Sequence, residues 1–117
     1  MTSLFASPPP DAAIEISPEA VSVAAVTARG GEMIVHAHAT EPLPVGAVVP
    51  GLTGHNILER AAVAGALRSA LDRASLRPRR VALVIPDTAA RVSLVRFDRI
   101  PERREDLDQL VRWQVRK

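Results

Sequence analysis

With 117 residues, 47% of them hydrophobic and 24% charged, the chain suffices for one modest globular domain or a piece of a larger one, and its composition excludes disorder as its main state. It has no cysteine, which excludes disulfides and thiolate metal sites, and no apolar run near the roughly 20 residues that span a bilayer. The net charge is only +2 although the pI is high, because nearly every cation is an arginine scattered among acids; with Phe5, Phe97 and Trp113 as the only aromatic residues, nucleic acid is not an expected partner.

Residues 1–11, ending in Ser7-Pro8-Pro9-Pro10 and Asp11, read as a flexible or polyproline-like tail. The tail lacks the basic start and long apolar core of a secretory signal, which favours the cytoplasm. A first strand is expected over Ala12–Ser17 and a second over Ala20–Ala28, with Val21, Val23 and, at its margin, Ala25 on one face. Their connection, Ser17-Pro18-Glu19, is unusual, since a tight hairpin prefers Asn-Gly or Gly-X. Arg29-Gly30-Gly31-Glu32 signals a turn into a third strand, Met33–Thr40, so the opening is an antiparallel meander.

Glu41–His55 is rich in proline and glycine and reads as a long, ordered or semi-ordered loop. Asn56 is the expected N-cap of a helix, with Glu59 three residues on as in a capping box. Its apolar stripe is Ile57, Ala61, Ala64, Leu67, Leu71 and Ala74, and its end is expected near Ser75, before Arg77-Pro78. The short β-branched run Arg80–Ile85 reads as a buried central strand, which the right-handed crossover rule sets beside the first strand. Arg91–Phe97 alternates and predicts a further strand; a last helix from about Arg103 carries Leu107, Leu110, Val111 and Val115. Nothing caps that helix before Lys117, so a truncated end is expected. The order β-β-β-α-β, then β-α, is the opening of a ribonuclease-H-like mixed α/β sheet over residues 12–90, followed by the start of a small inserted subdomain over 91–117.

Four segments carry a family likeness: Glu41-Pro42-Leu43-Pro44-Val45-Gly46-Ala47-Val48-Val49, the helix at Ala66-Leu67, Arg80-Val81-Ala82-Leu83-Val84-Ile85-Pro86, and Leu110-Val111-Arg112-Trp113-Gln114. In order and spacing they resemble the PilM family, actin-like components of type IV pilus assembly related to the cell-division protein FtsA. The likeness covers Ala12–Lys117 and implies the amino-terminal third or so of such a protein. It implies an actin-like ATPase fold, able to bind ATP and Mg in the full-length protein. It also implies a place at the inner face of the cytoplasmic membrane among other pilus platform proteins, held there through partners. The principal partner would be a short segment of a PilN-like inner-membrane protein, captured in a groove between subdomains.

In that family the first hairpin reads roughly Asp-Ile-Gly-Ser-Ser-Ser-Ile-Lys and cradles phosphates. Here the aspartate position is Glu15 and the glycine position Ser17; Pro18, Glu19 and Ala20 follow, and Ser22 stands for the lysine. Pro18 has no N–H to donate, Ser17 adds a Cβ where phosphate would approach, Glu19 repels it, and Ser22 removes a cation. Each lost hydrogen-bonding or charge contribution is typically worth about 1.5 to 3 kcal/mol. The expectation is a degenerate phosphate loop on a scaffold, with no cofactor. Two alternatives stand beside it: an active ATPase whose other loops bind the nucleotide, and the cytoplasmic part of a type II secretion platform protein. An ordinary solvent-facing hairpin is the bland reading.

Other features weigh less. His36 and His38 share one strand face in the expected alternation, a spacing that suits a metal pair, but no third ligand is evident and His55 lies in a loop. Half-exposed strand histidines are the stronger reading. Asp87-Thr88 follows a strand at its carboxyl end, where ligands bind in α/β sheets; a plain turn is the stronger reading. Glu102-Arg103-Arg104-Glu105-Asp106 suits a solvated first helical turn. Trp113 lies off its helix's apolar stripe, and no nucleophile–base–acid arrangement stands out.

Overall fold

The computed structural model describes residues 9–116. The expected tail lies outside the described residues except for 9–11, as does Lys117. The chain forms β1 (Ala12–Ile16), β2 (Ala20–Arg29), β3 (Glu32–Pro42), α1 (Arg60–Arg73), β4 (Val81–Val84), a single 3-10 turn (Asp87–Ala89) and α2 (Arg104–Val115). The four strands make one mixed sheet in the order β3-β2-β1-β4.

The meander follows from local chemistry. Gly30 and Gly31 adopt φ of 61° and 85°, which suits a two-residue hairpin loop closing the Arg29–Glu32 pair. Alternation then sorts the sheet into two faces. Ala12, Ile14, Val21, Val23, Ala25 and Ala39 are buried toward α1. Ala13, Glu15, Ser22, Ala24, His38 and Thr40 occupy the opposite face.

β4 runs parallel to β1, with Ala12 opposite Val81 and Ile14 opposite Leu83, in the expected position beside the first strand. Asp11 fastens this junction. Its N–H donates to the Arg80 carbonyl at 2.9 Å, and its Oδ2 accepts from the N–H groups of Arg79 and Arg80 at 3.0 and 3.2 Å. The expectation of a buried central strand is corrected. β4 ends the sheet, and Val81, Leu83, Val84 and Ile85 are 43–59% exposed. An apolar run is buried only where neighbours cover it; α1 packs over β2 and β3 and leaves β4 bare.

The helix is also corrected. Asn56 is not its cap: Ile57 pairs back onto the preceding loop through an isolated bridge with Val48, so α1 starts at Arg60 after Glu59. Removing that turn rotates the core stripe onto Val63, Ala66, Leu67, Ala70, Leu71 and Ala74, while Ala61 is exposed. The helix ends where expected. Ser75, at φ 55°, donates to the Asp72 carbonyl and Leu76 to that of Leu71, the two bonds of a Schellman cap.

The strand expected over Arg91–Phe97 does not form. No ladder partner stands beside it among the described residues, and Val92 and Leu94 are 88% and 96% exposed. Alternation prepares a strand, but only a neighbouring edge supplies its hydrogen bonds. α2 stands apart as well: none of its Cα atoms lies within 8 Å of one in α1 or any strand.

Candidate functional site

The β1–β2 connection is built around one hydroxyl. The Ser17 N–H donates to the Ala20 carbonyl at 3.0 Å, closing the turn. Ser17 Oγ accepts from the N–H groups of Glu19 and Ala20 at 3.3 and 3.1 Å and lies 3.2 Å from the Ala20 carbonyl, to which it can donate. Pro18 has no N–H. Every backbone N–H from Ser17 to Ala20 is therefore engaged inside the turn. A phosphate loop needs free amides converging on one point, and this turn folds its amides onto its own side chain. The arrangement does not fit a polyphosphate.

The remaining positions expected to form a phosphate loop lie on the sheet. Glu15 and Ser22 are directly opposed on β1 and β2, and Thr40 stands opposite Ser22 on β3. Ser22 Oγ and Thr40 Oγ1 are 3.0 Å apart, so the hydroxyl at the lysine position is satisfied across the sheet. Glu15, Ser22, His38, Thr40 and Val84 border a shallow concavity of about 330 Å³ on the face away from α1. The sheet thus sets Glu15 and Ser22 opposite each other, two residues from Ser17 and Ala20, which close the turn.

A bulge divides the two strand histidines. Ala25 pairs with Ala37 and Val26 with Val35, which leaves His36 as the extra residue. His36 Nδ1 lies 2.8 Å from Thr27 Oγ1, whereas His38 borders the concavity opposite Ala24. The shared-face pair expected from alternation is replaced by two separate environments. No group of three potential His, Asp or Glu ligands converges among the described residues.

A second cleft, of about 190 Å³, opens at the carboxyl ends of the parallel pair β1 and β4. Ile16, Val48, Pro50, Ile57, Leu83 and Ile85 form most of its wall. Asp87 and Thr88 do not line it; they form an exposed 3-10 turn beyond it. The outer wall is the segment 43–58, drawn across the sheet like a strap. Leu43 N–H donates to the Glu19 carbonyl at 2.8 Å, Val49 to Asn56 at 2.8 Å and Leu58 to Ala47 at 2.9 Å. Asn56 Oδ1 accepts from the Gly51 N–H at 2.7 Å, the role that replaces its expected cap. Sequence reasoning took this segment for a loop and did not find the cleft. The available signal was Ala47, Val48 and Ile57, apolar residues inside a proline- and glycine-rich stretch.

Two carboxylates are held below their ordinary values. The backbone amides of Arg79 and Arg80 lower Asp11, and the Arg73 guanidinium, 2.6 Å away, lowers Glu41 with help from Ser69. Both serve the fold rather than a reaction: one joins β4 to β1, the other ties α1 to β3. No helix among the described residues is long and apolar enough to cross a membrane. The chain matches no family model and no curated protein.

Proposed function

We propose that the chain is part of an actin-like, ribonuclease-H-like scaffold whose first phosphate hairpin has lost nucleotide binding, and that it works by holding a segment of a partner protein. The observation that carries this reading is the Ser17 turn. Its amides are engaged by its own hydroxyl, Glu19 adds negative charge at the tip, and the hydroxyl of Ser22, at the position where the family has a lysine, pairs with Thr40. The apolar cleft at the carboxyl ends of β1 and β4 supports the partner-binding half. Apolar side chains of a bound segment can fill such a cleft. The setting, a type IV pilus platform with a PilN-like membrane partner at the inner face of the cytoplasmic membrane, rests on the four segments that resemble the PilM family.

Calorimetric titration of Mg-ATP into the complete protein tests the first half. The expected result is no heat at millimolar nucleotide; a dissociation constant near micromolar, about −8 kcal/mol of binding, would refute it. Restoring the loop with Ser17→Gly, Pro18→Ser and Ser22→Lys should then create measurable affinity, because it frees the amides and returns the cation. No gain from the triple change would mean that the degenerate-loop reading is wrong or that the rest of the site has gone too.

A further inference from the structure

We infer that Ser17 is the latch of the apolar cleft, holding the strap 43–58 in place from the hairpin tip. The inference stands whatever occupies the cleft. The tip and the strap meet at the backbone bond from Leu43 N–H to the Glu19 carbonyl, which extends the β2–β3 ladder past its last pair, Ala20 and Pro42. The direction of that carbonyl is set by the turn, and the turn is set by the Ser17 hydroxyl, which holds the amides on both sides of it, those of Glu19 and Ala20. Beyond Leu43 the strap contributes Val48, Pro50 and Ile57 to the cleft wall, while Ile16, one residue before Ser17, forms part of the opposite wall. Leu43, Ala47 and Val48 are buried and anchor the strap in the core, while most of its other residues are exposed. A proline at position 18 suits this role. It fixes φ inside the turn and leaves no N–H at position 18 to be satisfied. What a phosphate-binding turn would obtain from its ligand, this turn obtains from its own side chain.

Amide hydrogen exchange followed residue by residue tests the latch. In Ser17→Ala the amides of Glu19 and Ala20 must exchange faster under any reading. The inference requires more: Leu43, Val49 and Leu58 should accelerate with them, on the order of five- to tenfold, the effect of losing a bond worth about 1 kcal/mol. Ala70, inside α1, should keep its protection. Ser17→Thr, which retains the hydroxyl, should restore the strap amides. Acceleration confined to Glu19 and Ala20 would overturn the inference, as would Ser17→Thr behaving like Ser17→Ala. If Ser17→Ala does not fold, Asn56→Ala reads the link from the strap end. Faster exchange at Glu19 and Ala20 is then expected, and unchanged exchange there would overturn it.

Discussion

Asp11 shows how one exposed side chain can decide a strand's position. β4 has four residues, little cover and a single strand neighbour, so its attachment depends heavily on its first hydrogen bonds. Asp11 supplies three of them, through its own N–H and through the carboxylate that accepts two amides. Those amides stabilise the charged form and hold the pKa below its ordinary 3.8. The group is depressed in the folded state, so its contribution is complete above the ordinary value and is lost as pH falls through the folded one. Glu41 acts in the same direction from an ordinary value of 4.5. Stability should therefore fall on acidification below about pH 4.5, and Asp11→Asn should flatten the acid limb of a plot of thermal midpoint against pH. An equally steep limb in the variant would show that the amides of Arg79 and Arg80 do not hold the charge. Asp11 stood in the sequence as the last residue of a tail; nothing in its neighbourhood marked it, because its partners lie 68 and 69 residues away. Ser17, by contrast, was legible as a turn residue from its place before Pro18. What was not legible was its hydroxyl, since the same serine can face solvent or its own backbone.

At the scale of elements, the pattern of alternation was enough for the three-stranded meander, because β2 buries its alternate residues Val21, Val23 and Ala25 and Gly30-Gly31 closes the turn into β3. It was not enough for α1. Reading the helix from Asn56 counted Ile57 and Ala61 into the buried stripe, whereas the true stripe begins at Val63 and passes through the fully buried Ala70. The competing structure was the short antiparallel bridge between Val48 and Ile57, a pairing across nine residues that helical periodicity cannot reveal. Two substitutions separate the alternatives. Ala70→Leu should overfill the layer between α1 and the sheet and cost about 1 to 3 kcal/mol, and Ala61→Leu should change stability by less than about 0.5 kcal/mol. Urea unfolding of the two variants checks this, and the reverse order would restore the stripe read from Asn56. The strand expected at Arg91–Phe97 failed for a related reason. Its residues alternate well enough, but a strand is a property of two segments, and the second is not among the described residues.

The whole molecule divides into a packed part and an unpacked one. The sheet, the strap and α1 share a single buried cluster, from Ile14 on β1 to Ala70 on α1. From Ala90 to Arg116 no residue is buried, and no Cα of α2 lies within 8 Å of one in the sheet or α1. Buried apolar area is the main source of stability, so nearly all of it resides before residue 90. α2 carries Leu107, Leu110 and Val111 on one side and a mixed-charge first turn, but an isolated helix of 12 residues is marginal in water. Ending the chain after Ala90 should therefore cost less than about 1 kcal/mol and lower the thermal midpoint by no more than roughly 4–8 °C. In the intact chain, limited proteolysis should cut first among the arginines from Arg91 to Arg104, leaving a protected fragment that retains α1 and all four strands. Loss of cooperative unfolding in the shortened chain would mean that the last segment supports the sheet through contacts its exposure does not suggest. Retention would mean that α2 and the segment before it are not needed to hold the sheet together.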